Sequence, residues 1–285
     1  TPCFWRLTRP FRSRIPGTAW WGIWNLKCRK TSGVYYPRQS PLQMYNLTGV
    51  IGSKYSRKEW KEAWRVYLGL VAMLDHCVGR LLEELKDQGI YEDSLILFTS
   101  DHGEMLGSHS LFQKMCMYEE SARVPLYIKF PKGFPLAKKE IRQVAEHVDV
   151  LPTLCDFLGL KAPHQMDGQS LMPLLKGQVQ ENEEETAFIQ YDGNGSRSNF
   201  QRCVVKGRYK LIVDFFKDET FFELYNVEDD SQERENLLFF SPIRRKGPGT
   251  GGPFGSPYDG HRGSSGNAPF HPEKFREKYQ AFPAS

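Results

Sequence analysis

The sequence predicts an α/β fold: a mainly parallel sheet sandwiched by helices, followed by a small antiparallel C-terminal subdomain. Three observations predict it. A long amphipathic helical pattern runs straight into a short apolar strand. A second strand and a second helical pattern follow in the same alternation. After a polar, acidic stretch the pattern changes to short β-prone runs separated by turn residues.

The first helix is read from apolar side chains at 60, 64, 67, 68, 71, 74, 78, 81, 82 and 85, in steps of three and four. Ser56 and Glu59 form a capping-box pair at its start, and Gly89 ends it. Asp75, on or beside the apolar stripe, reads as a structural carboxylate. Residues 95–98 (Leu-Ile-Leu-Phe) are apolar on both faces, the pattern of a strand buried in a parallel sheet. Residues 124–131 read as the next strand, bounded by prolines. The second helix starts near Asp149, tolerates Pro152 in its first turn and stops at Gly159. His147 and Asp149 therefore read as a helix entrance rather than a metal pair. Runs at 187–191, 202–205, 210–214 and 221–225 suggest the antiparallel sheet. Gly, Pro and Ser dominate 246–268, a flexible stretch, and 271–282 adds a short helix. The resulting division is a basic N-terminal segment (1–55), the α/β part (56–180), the small subdomain (181–245) and a flexible segment with a tail (246–285).

Composition narrows the function classes. Of 285 residues, 40% are hydrophobic and 25% charged, as in ordinary globular proteins. The first 60 residues hold eleven Lys or Arg against the single acid Glu59. No binding motif accompanies that charge, so nucleic acid is not expected as a partner. The six cysteines are scattered without a CxxC pair, which supports neither a zinc site nor a disulfide framework. Cys77 and Cys155 lie in apolar periodic segments and read as buried thiols. No apolar run reaches the ~18 residues of a membrane span. Asn46-Leu-Thr and Asn194-Gly-Ser fit the glycosylation sequon.

The chemistry concentrates in 95–114, LILFTSDHGEMLGSHSLFQK. Asp101 and His102 follow the strand at its carboxyl end, where open α/β sheets bind ligands. A carboxylate offers hard oxygen to a divalent cation and a neutral imidazole offers nitrogen. Lys114 is a mobile point charge suited to sulfate or phosphate. Gly103 and Gly107 permit sharp turns. The alternative reading is a polar strand-to-loop turn with Asp101 as an N-cap.

Four segments in order resemble the formylglycine-dependent sulfatases of the alkaline-phosphatase-like superfamily. "YLGLVAMLDHCVGRLLEEL" is similar to that family's V-D-x-x-V-G-x-L helix. "LILFTSDHGEMLGSHSLFQKMCMYEESARVPLYIKFP" is similar to its metal strand, lysine loop and following strand. "VAEHVDVLPTLCDFLGLKAPHQMDGQSLMPLLKG" resembles its D-x-x-P-T helix and closing segment. "GRYKLIVDFFKDETFFELYNVEDDSQERENL" resembles its terminal subdomain. The resemblance implies that Asp101 and His102 ligate a divalent cation, usually Ca2+, and that Lys114 contacts a sulfate oxygen. It implies that Arg123, with Glu119 or Glu120, supports the loop. His109 lies between the metal ligands and the lysine, as either a substrate-facing residue or a surface turn histidine. The implied activity is sulfuric ester hydrolysis, with a small-molecule or glycan sulfate ester as partner.

The chain departs from the family at its nucleophile. There a cysteine in C-x-P-x-R becomes a formylglycine, whose hydrate attacks sulfur. None of the six cysteines has that context. An early Asp-Asp ligand pair has no counterpart either, and Ile23 and Asn25 stand where a faintly similar motif has lysine and histidine. The expectation is a C-terminal portion of a sulfatase, inactive alone, with an incomplete sheet. The alternatives are a phosphonate monoester or phosphodiester hydrolase of the same superfamily, and a non-catalytic anion-binding relative.

Overall fold

The computed structural model describes residues 2–3, 29–161, 165–193 and 199–239. The chain divides into two compact units, Thr1–Leu237 and Leu238–Ser285, and the elements below belong to the first. Most of the basic segment, the Asn194 sequon and the Gly/Pro-rich tail lie outside the described residues.

Strand β1 (Pro2–Cys3) pairs antiparallel with β4 (Ala145–Glu146). Helix α1 (Leu47–Gly52) is capped by Asn46, whose Oδ1 accepts from the Gly49 N–H at 3.1 Å. That side chain is buried, so the Asn46 amide of the sequon is spent inside the fold. Helix α2 (Arg57–Asp87) has the expected capping box: Glu59 accepts from the Ser56 N–H at 2.7 Å, and Ser56 accepts from the Glu59 N–H. Gly89, at φ +74°, follows its last turn.

The apolar stripe of α2 is buried only near its two ends, at Trp60 and Leu82. Leu70, Val71, Leu74 and Leu81 are exposed, and so is Cys77, contrary to its expected burial. Trp60 is covered by Phe112 and by the backbone at Gly107.

Strand β2 (Ile96–Thr99) pairs with β3 (Leu126–Lys129) antiparallel, Leu97 opposite Ile128. Every sheet among the described residues is antiparallel, so the mainly parallel sheet expected from the sequence is not formed there. Strand β2 is half-buried rather than fully buried, because β3 is its one partner among these residues. Short helix α3 (Glu119–Ala122) precedes β3. Helix α4 (Val150–Leu158) ends at Gly159, φ +65°, as expected. Asp149 does not cap it; its carboxylate accepts from the Glu146 and Gln169 N–H groups at 2.8 Å each. Helix α5 (Met172–Leu175) packs with β3 in one apolar cluster that includes Ile128, Phe130 and Ile141.

Strands β5 (Thr186–Tyr191), β6 (Phe200–Lys206), β7 (Tyr209–Phe216) and β8 (Glu219–Asn226) form an antiparallel meander in chain order. Two-residue turns, Gly207-Arg208 and Lys217-Asp218, set the register, pairing Lys206 with Tyr209 and Phe216 with Glu219. Val205, Ile212 and Tyr225 of this sheet share a second core with Met105, Leu111 and Tyr118. Burying each such side chain contributes about 1.5–3 kcal/mol, so this core mounts the segment after His102 firmly on the sheet.

Candidate anion and cation site at the end of strand β2

Strand β2 ends at Thr99 and the chain turns outward through Ser100. The Asp101 carboxylate is 82% exposed, and its Oδ2 lies 3.3 Å from His102 Nε2. Its Oδ1 accepts from the His102 N–H at 2.9 Å, the main reason its pKa lies below the usual value. His102 Nδ1 lies 2.8 Å from the Gly103 carbonyl. A carbonyl only accepts, so Nδ1 carries a proton, and in the tautomer this selects the Nε2 lone pair would face the carboxylate. Two lone-pair donors turned towards each other are satisfied by a shared cation or by a second proton on the ring.

His147, read from sequence as part of a helix entrance, comes to the same strand end. Its Nε2 is 3.3 Å from Thr99 Oγ1. Burial lowers its pKa, against the upward pull of the Ser100 backbone and the Asp101 charge. Chain separation hid this approach, since His147 follows Thr99 by 48 positions and meets it only in the folded chain.

Gly103 is required by proximity rather than by turning. Its N–H donates to Ser121 O at 2.8 Å, and a Cβ there would lie 2.0 Å from Glu120 O. The helix it touches, α3, is anchored from the C-terminal sheet. Lys210 Nζ lies 2.9 Å from both Glu119 and Glu233, and all three side chains are buried. Burial alone would discharge Lys210, but the two carboxylates outweigh it and hold the ammonium charged. Burial pushes the Glu233 carboxyl up, against the downward pull of Lys210. Arg123 approaches Glu119 at 3.7 Å, and Arg29 approaches Glu120 at 3.5 Å. Sequence gave no signal for Lys210 and Glu233, whose types are ordinary on a surface.

Between Glu104 and Met115 the chain forms a tight loop. Met105 N–H donates to Gln113 O at 2.8 Å, and Gly107 N–H to Leu111 O at 2.9 Å. Gly107, at φ +85°, lies against the Trp60 indole, 2.5 Å from where a Cβ would be. Leu106, His109, Ser110, Gln113 and Met115 all have positive φ, from 44° to 75°. Each such residue costs on the order of 1 kcal/mol, so the surrounding contacts must over-determine the loop. The Met105–Gln113 closure returns Lys114 to the neighbourhood of the residues just after His102. Lys114 is half-buried and forms no ion pair among the described residues.

His109 sits neither at a surface turn nor facing an open site. Its ring is fully buried and stacked on Tyr118, centroids 3.9 Å apart at 9°. Nε2 donates to Gln232 O at 3.0 Å, and burial lowers the pKa to about 3, so the ring is neutral. The left-handed backbone at φ +56° is the physical reason: it turns the side chain beneath the loop.

Calcium takes about six to eight oxygen ligands. Asp101 and His102 supply one oxygen and one nitrogen, and no group of three or more His, Cys, Asp or Glu among the described residues is placed to hold a metal. The pair thus fits part of a cation site. A formylglycine does not fit: Cys116 and Cys203 are buried with thiol pKa values pushed up, Cys203 to about 12, and no cysteine is followed by x-P-x-R.

Comparisons with known proteins bear on this geometry. A family profile described as "Sulfatase" matches residues 30–160, and one described as "N-sulphoglucosamine sulphohydrolase, C-terminal" matches 107–243. An N-acetylglucosamine-6-O-sulfatase of Bacteroides thetaiotaomicron is 31% identical over 183 residues, covering 63% of this chain and 33% of the relative. An arylsulfatase of Clostridium perfringens is 32% identical over 185 residues, covering 64% of this chain and 37% of the relative. The crystal structure of a phosphonate monoester hydrolase of Agrobacterium radiobacter superposes with a TM-score of 0.57 at 29% identity, covering 66% of this chain and 39% of that one. The chain therefore spans between a third and two fifths of the length of these three proteins.

Proposed function

We propose that this chain, a member of the sulfatase family within the alkaline-phosphatase-like superfamily, holds one half of a sulfate-ester site in residues 95–123. The observation that carries the reading is Lys114: a half-buried residue without an ion-pair partner among the described residues, on a loop closed by backbone hydrogen bonds. A fixed cation in a partly dry setting stabilises an oxyanion far better than one in water. Lys114 is assigned to a sulfuryl oxygen. Asp101 and His102 are assigned as two ligands of a divalent cation, Ca2+ in the family's usual form, with the Gly103 carbonyl fixing the His102 tautomer. When bound, that cation would neutralise charge on the sulfuryl oxygens. His109 is assigned to holding the loop and not to the substrate, because its ring is enclosed.

The substrate class is a sulfate ester of a small molecule or glycan, and the N-acetylglucosamine-6-O-sulfatase relative points to an amino sugar. These 285 residues contain no C-x-P-x-R cysteine, so the chain by itself is expected to bind sulfate without turning over an ester. A second reading, hydrolysis of phosphonate monoesters or phosphodiesters, is favoured by the phosphonate monoester hydrolase neighbour, since the same cation and lysine suit phosphoryl oxygens. The third, an anion-binding module without catalysis, is favoured by the missing nucleophile motif.

The test uses the chain with inorganic sulfate, Ca2+ and two chromogenic esters, an aryl sulfate and an aryl phosphodiester. Sulfate binding is expected to weaken at least tenfold in Lys114→Ala, and Ca2+ binding to weaken in Asp101→Asn, with no turnover of either ester. Unchanged sulfate affinity in Lys114→Ala would overturn the assignment of Lys114. Aryl sulfate turnover that survives replacement of all six cysteines would overturn the account of the nucleophile.

A further inference from the structure

Lys114 can serve an oxyanion only if its backbone is held while its side chain stays free, and two side chains outside the proposed ligand set do that holding. Thr48, on α1, donates its hydroxyl to the Lys114 carbonyl at 3.0 Å, and its own carbonyl accepts from the Phe112 N–H at 3.1 Å. Glu104 accepts from the Gln113 N–H at 2.7 Å and from the Leu106 N–H at 3.2 Å through one carboxylate oxygen. The residues flanking Lys114, Gln113 and Met115, stand at φ +66° and +75°. Neither is glycine, so this backbone relaxes unless external bonds oppose it.

Helix α1 is fitted to the loop for close approach. A Cβ on Gly52 would lie 2.2 Å from Ser110 O and 2.6 Å from Leu111 Cα. Asn46, which caps α1, donates to Asn199 Oδ1 at 2.7 Å, so the helix is tied to the C-terminal sheet through buried polar atoms. Thr48 is itself buried, with its hydroxyl directed at the one carbonyl whose position sets where the Lys114 side chain begins.

We infer that Thr48 and Glu104 are positioning residues for Lys114, clamping its backbone from α1 and from within the loop so that the ammonium is preorganised for an oxyanion. This rests on the assignment of Lys114 made above. Neither residue touches the anion; each acts through the lysine backbone. A single hydrogen bond of this kind alters a conformational balance by about three- to tenfold, which sets the size of the expected effect.

The experiment measures inorganic sulfate affinity of the full chain by NMR of its 13C-methylated lysines, with Lys114 assigned from a Lys114→Arg variant. Thr48→Val is expected to weaken sulfate binding about three- to tenfold, and Thr48→Ser, which keeps the hydroxyl, to restore it. Glu104→Ala is expected to weaken it similarly, and Glu104→Gln, which keeps an acceptor oxygen, to lose less than about twofold. Leu82→Ala destabilises the chain far from this loop and is expected to leave sulfate affinity unchanged. The Glu104 pair decides the matter if Thr48→Val does not fold. Wild-type affinity in both Thr48→Val and Glu104→Ala, while Lys114→Ala abolishes binding, would overturn the clamp and leave the Lys114 assignment standing. An equal loss in Leu82→Ala would also overturn it, since the effect would then be general destabilisation. No loss in Lys114→Ala would instead remove the assignment on which the clamp rests.

Discussion

At the scale of single residues, the lone pairs and charges that converge on the end of β2 divide into those that face outward and those that hold. Asp101 and His102 are open to solvent, whereas His109, Glu119, Lys210 and Glu233 are enclosed. His109 gives a direct test of that division. Its Nε2 proton is committed to Gln232 O and burial lowers its pKa to about 3. Its imidazole signals are therefore expected to stay in the Nε2–H tautomer, without titrating, from pH 5 to 8; an inflection near the ordinary histidine value would show that the ring reaches water. Asp101, His102 and Lys114 were legible in the sequence as candidates, because a carboxylate, an imidazole and a lysine follow a short apolar run, though a polar turn reads the same way. The burial of His109 was not legible, because a positive φ on a non-glycine residue leaves no mark in composition. Thr48 was hidden for a different reason: its relation to Lys114 spans 66 residues and passes through the backbone.

Among the elements, α2 is the most fully predicted and the least predictably placed. Its capping box and its glycine stop are local chemistry and follow from sequence alone. Its burial depends on what lies opposite, and among the described residues that is enough to cover only the neighbourhoods of Trp60 and Leu82. Leu74→Glu is accordingly expected to change unfolding free energy by less than ~0.5 kcal/mol, while Leu82→Ala costs about 2–3 kcal/mol. Urea unfolding of the two variants checks this, and a cost of ~2 kcal/mol or more for Leu74→Glu would mean that the exposed stripe is covered in solution. The strand pair shows a similar limit. An apolar run such as 95–98 reads alike in parallel and antiparallel surroundings, and the partner, not the run, decides between them.

For the molecule as a whole, buried carboxyls tie the N-terminal half to the C-terminal sheet. Asp214 accepts from Ser40 Oγ at 2.7 Å and from Asn199. Glu223 accepts from Tyr118 OH at 2.7 Å, Tyr225 OH at 2.8 Å and the Ser40 N–H at 3.0 Å. Burial is the largest influence on both and raises Asp214 to about 6 and Glu223 to about 7. A carboxyl raised in the native state holds protons there that the unfolded chain has already released. Its contribution is therefore full below the unfolded value, near pH 4, and is lost as pH rises through the native one. Glu223 alone is expected to remove roughly 3 kcal/mol between about pH 4.5 and 7. Denaturant unfolding of wild type and Glu223→Gln across that range checks it: the difference between the two should shift by this amount, and a pH-independent difference would refute the assignment.

The sequence by itself determined the capped helix, the strand runs and the meander, and it marked Asp101, His102 and Lys114 as candidates. All of these depend on local period, on turn chemistry or on residue types within a short window. Tertiary structure alone decided which way β2 and β3 pair, which face of α2 is covered, and that His147 meets Thr99, Thr48 meets the Lys114 carbonyl, and Glu233 meets Lys210. Those outcomes rest on desolvation and on hydrogen bonds between segments far apart in the chain, and such partners exist only once the chain has folded back on itself.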